Sequence, residues 1–154
     1  MVPCGELPRQ LTVSVAGDLR VIIYRRMVLR IAQRIARDVC AGALVTGDVV
    51  GQVAPQTLDN MTTIDRASHM TILRTLVGMD KEEIITTAQK IGTFAVSIRP
   101  DEDTCTLFTP RHPETHAHRR TSDDVERALP VDTMVESATS AAIVEQLTHP
   151  SKPV

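Results

Sequence analysis

Three groups of residues in this chain have types and spacing that could do chemistry. The first is Leu44-Val45-Thr46-Gly47-Asp48-Val49-Val50-Gly51-Gln52-Val53-Ala54-Pro55-Gln56-Thr57, an apolar run broken by two glycines. Strand, glycine turn and helix in that order build the crevice at the carboxyl end of a sheet where nucleotides bind. An ordinary strand-to-helix loop has the same grammar, and no Lys-Ser/Thr pair closes the stretch as in a P-loop. The second is the six arginines of 19–41: Arg20, Arg25, Arg26, Arg30, Arg34 and Arg37. The third is Cys105 with the nearby His112, His116 and His118. Asp101, Glu102 and Asp103 precede Cys105, and their charge disfavours a thiolate, so local chemistry makes it a bystander. His112 and His116 have a metal-ligand spacing for a helix, but Pro110 and Pro113 spoil that helix, and no metal site is expected.

The arginines divide on a helical wheel. From Leu19 to Ala41 there is no glycine or proline, and Gly42 follows as a C-cap; this predicts one long helix. At about 100° per residue, Arg26, Arg30, Arg34 and Arg37 share one side, which reads as a solvated face or a phosphate-binding stripe. Val21, Val28, Leu29, Ile31, Ala32, Ile35, Ala36 and Val39 fill the other. Arg25 falls inside this apolar arc, where a guanidinium needs a partner. The partner is an internal carboxylate, water reached by snorkelling, or a bound anion. The helix runs antiparallel to the strand after it, so the anion reading puts Arg25 level with Gly47, facing one phosphate.

The surrounding elements alternate. Residues 1–17 hold Leu7, Leu11, Val13 and Val15 in a short helix or strand, and Gly17-Asp18 reads as a turn and N-cap. Ala43-Leu44-Val45 is a buried strand. Pro55 opens a helical pattern running from Gln56 to Ala67, with Leu58, Met61 and Ile64 inward. Thr71–Val77 is a second strand or an extended segment, and Asp80 with Glu83 forms a capping box before Ile84, Ile85 and Ala88. That helix closes near Ile91-Gly92, and Phe94–Ile98 reads as a third strand-like segment. Such alternation predicts an α/β fold with a parallel sheet. After Arg119, one or two helices are expected, then a disordered tail from His149.

Composition narrows the function classes. The 154 residues suffice for one domain with a real core. Tyr24, Phe94 and Phe108 are the only aromatics, which argues against base-stacking modules. A net charge of −2 means that any nucleic-acid contact comes from a local patch. Cys4, Cys40 and Cys105 are odd in number and contain no Cys-x-x-Cys pair, fitting reduced cytoplasmic thiols. No apolar run has transmembrane length, the N-terminus has no signal-peptide h-region, and there are no internal repeats.

Several motifs taken together resemble the ThiI family of tRNA 4-thiouridine synthases, or tRNA sulfurtransferases. They are Tyr24-Arg25-Arg26-Met27-Val28-Leu29-Arg30-Ile31-Ala32, the stretch 44–57, Gly78-Met79-Asp80-Lys81-Glu82-Glu83-Ile84-Ile85, Ile91-Gly92-Thr93, and Asp103-Thr104-Cys105-Thr106-Leu107-Phe108. The resemblance spans Pro3 to His112, in the C-terminal half of the family's ATP-pyrophosphatase domain. It implies an adenine-nucleotide alpha-hydrolase-like (PP-loop) fold in two parts. Residues 1–115 belong to the ATP-pyrophosphatase domain, and 116–154 form a helical or disordered extension. It implies that ATP and magnesium adenylate uridine at position 8 of tRNA, and that a persulfide sulfur then displaces AMP. Sulfur transfer in the family also feeds thiamine thiazole synthesis. Its ATP contacts fall on Arg25, Gly47 and Gln56. In members with a rhodanese-type domain, the cysteine matching Cys105 pairs with the persulfide-bearing cysteine during turnover.

The departures are specific. The family's Gly-Glu-Ser-Leu-Gly-Gln is Gly47-Asp48-Val49-Val50-Gly51-Gln52, and its Ala-Ser-Gln is Ala54-Pro55-Gln56. The Ser-Gly-Gly-x-Asp-Ser phosphate loop is expected before Met1, with two strands of the sheet. Its backbone N–H groups would cradle phosphate, so little thiolation is expected from this chain alone. Two functions are weighed. One is the ATP- and sulfur-handling part of a cytoplasmic tRNA sulfurtransferase, served by a persulfide donor such as a cysteine desulfurase. It would be completed by a partner chain with the phosphate loop, or work as a homo-oligomer. The other is a non-catalytic remnant or interaction subunit.

Overall fold

A computed structural model describes residues 1–3, 5–17, 19–51, 56–100 and 119–146. Seven helices and two strands run in the order α1, α2, β1, α3, β2, α4, α5, α6, α7 among these residues. The organising element is α2 (Arg20–Asp38). It packs against α1 (Glu6–Ser14), β1 (Ala43–Thr46), α3 (Leu58–Asp65), α6 (Arg119–Arg127) and α7 (Val131–Ser140).

The undecided N-terminal segment is helical. Leu7, Leu11 and Val15 recur every fourth residue, bury together on α2, and leave Val13 in solvent. The end of α2 differs from the expected glycine cap. The left-handed residue is Cys40 (φ 55), two positions before Gly42. Ala41 N–H donates to the Ala36 carbonyl at 2.7 Å and Cys40 N–H to Arg37 at 3.1 Å, which closes a Schellman turn. At the other end Leu19 holds the N-cap position, and the expected cap Asp18 lies outside the described residues.

β1 and β2 (Thr71–Arg74) pair in parallel, with Ala43 opposite Thr71 and Thr46 opposite Arg74. α3 crosses between them, as a parallel pair requires. It begins at Leu58 rather than Gln56, capped by Thr57, whose side chain accepts from Asn60 N–H. Pro55, expected to open this helix, lies outside the described residues. Leu44 is buried and Ile72 packs on the core, whereas Val45 and Leu73 are exposed on the other face.

The capping box forms as expected: Glu83 N–H donates to the Asp80 carboxylate, and Asp80 N–H to Glu83 Oε2. It starts α4 (Lys81–Lys90), and Gly92, at φ 78, follows its end. The expected third strand is instead a short helix, α5 (Phe94–Ser97), where Ser97 N–H and hydroxyl both reach the Thr93 carbonyl. A five-residue apolar run has no period that separates strand from helix, and no described strand lies beside it to pair with.

The core is aliphatic: Leu11, Ile22, Ile23 and Met27 are fully buried, joined by Leu44, Ile64 and Met134. Among the described residues no helix is long and apolar enough to cross a membrane.

Candidate functional site

The carboxyl ends of β1 and β2 open onto a cavity of about 410 Å³ whose lining includes Arg25, Thr46, Gly47, Asp48 and Arg74. Val28, Leu29 and Ile64 contribute to its apolar wall. Each polar residue is placed by its element. Arg25 comes from the second turn of α2. Thr46 and Arg74 are paired strand ends, and Gly47-Asp48 is the first step of the loop leaving β1. Glycine at 47 is demanded neither by its own backbone, whose φ is not positive, nor by packing, since an added Cβ meets nothing within 4 Å.

Asp48 is the electrostatic centre. Its Oδ1 accepts from Arg25 Nη1 at 2.7 Å, and its Oδ2 accepts from the Thr46 hydroxyl at 2.7 Å. Arg74 Nε lies 3.4 Å from the same Oδ2. Burial pushes the Asp48 carboxyl up, but the Thr46 hydroxyl and the charges of Arg25 and Arg74 outweigh it and hold the pKa below the usual range. Arg74 also pairs with Asp65 on α3. Of the three partners open to Arg25, the structure shows the internal carboxylate, in a cavity that also receives Gly47.

Gln56 is placed differently. It is buried, its carbonyl accepts from Gly51 N–H at 2.9 Å, and it does not line this cavity. Its side-chain Oε1 is buried with no hydrogen-bond partner among the described residues. The structure thus brings Arg25 and Gly47 to one cavity and leaves Gln56 outside its lining. Cys105, His112, His116 and His118 lie outside the described residues, as does Cys4; Cys40 is exposed as a free thiol. Among the described residues no cluster of side chains has the makings of a metal site.

One arginine assigned to the solvated face is misplaced by that reading. Arg26 is 2% exposed, and its guanidinium donates to Glu126, to Asp123 and to the Thr63 carbonyl. Arg30 donates to the same Glu126 at 2.7 Å. The wheel assumed one covered side, whereas α3 and α6 cover the Arg26 side as well. Sequence reading also passed over Arg74, although alternation along Thr71-Ile72-Leu73-Arg74 put it on the core-facing side with Ile72.

Parallel strands joined through a helix, with a polar cavity at their carboxyl ends, define an α/β protein with its candidate site in the usual place for that class. The sequence matches the family described as "Thiamine biosynthesis protein (ThiI)" over residues 1–130, and the chain belongs to the ThiI family. That span passes His112, where the resemblance read from the sequence ends, and takes in α6.

Relatives named "Probable tRNA sulfurtransferase" include one from Thermus thermophilus, 45% identical over 154 residues, covering 100% of this chain and 38% of the relative. Another, from Brevibacillus brevis, is 39% identical over 152 residues, covering 99% of this chain and 38% of the relative. The chain thus spans well under half the length of these curated relatives. A crystal structure of a 4-thiouridine synthetase–RNA complex with bound ATP matches with a TM-score of 0.84 and 35% identity. The match covers 91% of this chain and 36% of that one. The fold is α/β of the PP-loop class, represented here by a partial parallel sheet flanked by helices.

Proposed function

We propose that this chain is the ATP-binding, C-terminal part of the PP-loop domain of a tRNA sulfurtransferase. The reaction is 4-thiouridine formation at position 8 of tRNA, and the sulfur transfer also serves thiamine thiazole synthesis. The carrying observation is the shared cavity of Arg25 and Gly47, the positions at which the family resemblance implies ATP contacts. ATP, with magnesium, supplies the adenylyl group that activates the uridine O4, pyrophosphate leaves, and persulfide sulfur then replaces AMP. Within this chain Arg25 offers charged donors to phosphate, Gly47 leaves space for it, and Val28, Leu29 and Ile64 exclude water from one side. Gln56, whose buried Oε1 has no hydrogen-bond partner among the described residues, has an acceptor to offer a nucleotide N–H or hydroxyl. Cys105 is the sulfur-handling residue of this reading.

The remaining parts of the reaction come from outside the described residues. A Ser-Gly-Gly-x-Asp-Ser loop does not occur within these 154 residues, which span 38% of the Thermus relative. Sulfur comes from a persulfide donor of the cysteine desulfurase type, and tRNA docks through separate domains in the cytoplasm. A second reading, a non-catalytic interaction subunit, draws on the exposed pair Val45 and Leu73, since parallel sheets are normally covered on both faces.

Thermal unfolding with ATP and magnesium separates the two readings, because a ligand of the folded state raises the melting temperature. A rise that Arg25→Ala abolishes supports the nucleotide site. An unchanged rise in Arg25→Ala removes Arg25 from it. No rise, with or without an added chain carrying the phosphate loop, favours the interaction subunit.

A further inference from the structure

We propose that Arg74 is a second phosphate-binding residue of this cavity, converging with Arg25 on one anion of the nucleotide; the inference rests on reading the cavity as an ATP site. Arg74 ends β2 opposite Thr46, so its side chain emerges beside the strand end that leads into Gly47. Its side chain is 14% exposed and lines the same cavity as Arg25. Two guanidiniums from separate elements, α2 and β2, therefore address one small volume.

The Asp48 carboxylate marks where an anion sits in that volume. Its two oxygens face Arg25 Nη1 at 2.7 Å and Arg74 Nε at 3.4 Å. The Arg74 contact is the unfinished one: Nε is buried and has no hydrogen-bond partner among the described residues. A buried donor without an acceptor is an unfavourable state that a better-placed acceptor relieves. A phosphate group offers more acceptor oxygens than a carboxylate, spread over a tetrahedron, and matches the forked guanidinium donors. It can meet Arg25 and the idle Arg74 Nε together, with Asp48 released to its remaining Thr46 hydroxyl. Arg74 Nη2 also donates to Asp65 on α3, which anchors the guanidinium where it lines the cavity.

Titration calorimetry of the full chain with ATP–magnesium, AMP and adenosine tests this. R74A and R74Q are compared with wild type, R25A and D65N, and the melting temperature of each is recorded. Loss of one charge-assisted hydrogen bond to phosphate predicts at least about tenfold weaker binding of ATP and AMP by R74A and R74Q. Adenosine binding is predicted to stay within about twofold, and D65N to bind ATP no less than about half as tightly as wild type. If R74A does not fold, R74Q decides, because it removes the charge while its amide keeps a polar group beside Asp48. Wild-type ATP binding that R25A abolishes and R74Q leaves intact overturns the role of Arg74 while sparing the ATP site. An equal loss for adenosine and ATP in R74Q overturns it too. No ATP binding by wild type, even with an added phosphate-loop chain, removes both readings together.

Discussion

Glu126→Ala is expected to destabilise the fold by about 3 kcal/mol, the lower end of the ~3–5 kcal/mol for breaking a buried ion pair. Glu126 takes two hydrogen bonds from Arg26, Nε to Oε1 at 2.9 Å and Nη2 to Oε2 at 2.6 Å. Arg30 adds a third at 2.7 Å. The side chains of Arg26 and Glu126 are 2% and 7% exposed, so removing the carboxylate strands a guanidinium in the interior. Two acceptors remain for Arg26, the Thr63 carbonyl at 2.7 Å and Asp123 at 2.8 Å, and they set the estimate at the lower end. At about 2–4 °C per kcal/mol for a chain of this size, the melting temperature should fall by roughly 6–12 °C. Urea unfolding should show a lower midpoint with an unchanged slope. The double variant Arg26→Met, Glu126→Leu should recover most of the loss, because both desolvation penalties vanish with the charges. A fall under about 2 °C for Glu126→Ala, the behaviour of an exposed ion pair, would refute the assignment of a buried network.

Acid should act through the same groups. Burial raises the Glu126 carboxyl, but hydrogen bonds and charge from Arg26 and Arg30 more than offset it, and the pKa is lowered, as at Asp48. A lowered carboxylate contributes stability that is complete above its unfolded value, about 4, and is lost as pH falls through the folded value. Urea midpoints should therefore hold steady down to about pH 4.5 and drop below it. The gap between wild type and Glu126→Gln should narrow over that drop, and a constant gap would contradict the linkage. At the other side of the fold, Asp80→Ala removes the capping box of α4 at a cost of about 1 kcal/mol. Because α4 buries none of its residues, the effect should appear as about fivefold faster amide exchange in its first turn. Unchanged protection there would show that the cap is idle.

Elements governed by short-range rules were legible in the sequence. The presence of α2 as one long helix, the two strands and the Asp80–Glu83 capping box follow from periodicity and local signals within a few residues. Phe94–Ile98 was not legible, because its choice between helix and strand depends on whether a neighbouring strand offers hydrogen bonds, and none is described there. The helix stop at Cys40 escaped because glycine is the usual left-handed residue and Gly42 stood close by. At the site, Arg25 stood out because it broke an apolar arc. Arg74 broke a strand's core-facing side in the same way, and the shorter element made the violation less visible. The partner of Arg26 could not be read at all, since Glu126 is 100 positions away.

Arg25 and Arg26 are adjacent in sequence, yet one serves the cavity and the other the interior. The 100° between successive residues of a helix sends them to different surroundings. Arg26 is held by acceptors from α3 and α6 at once, so α2 cannot turn about its axis without breaking several buried charged hydrogen bonds. The rotation that satisfies Arg26 is the rotation that aims Arg25 at Asp48. A binding group gains precision when its supporting residues are locked by packing and hydrogen bonds of their own. α6 contributes no residue to the cavity lining, but through Glu126 it helps set the orientation of the helix that does. The stretch after the last recognised motif is therefore mechanically part of the site.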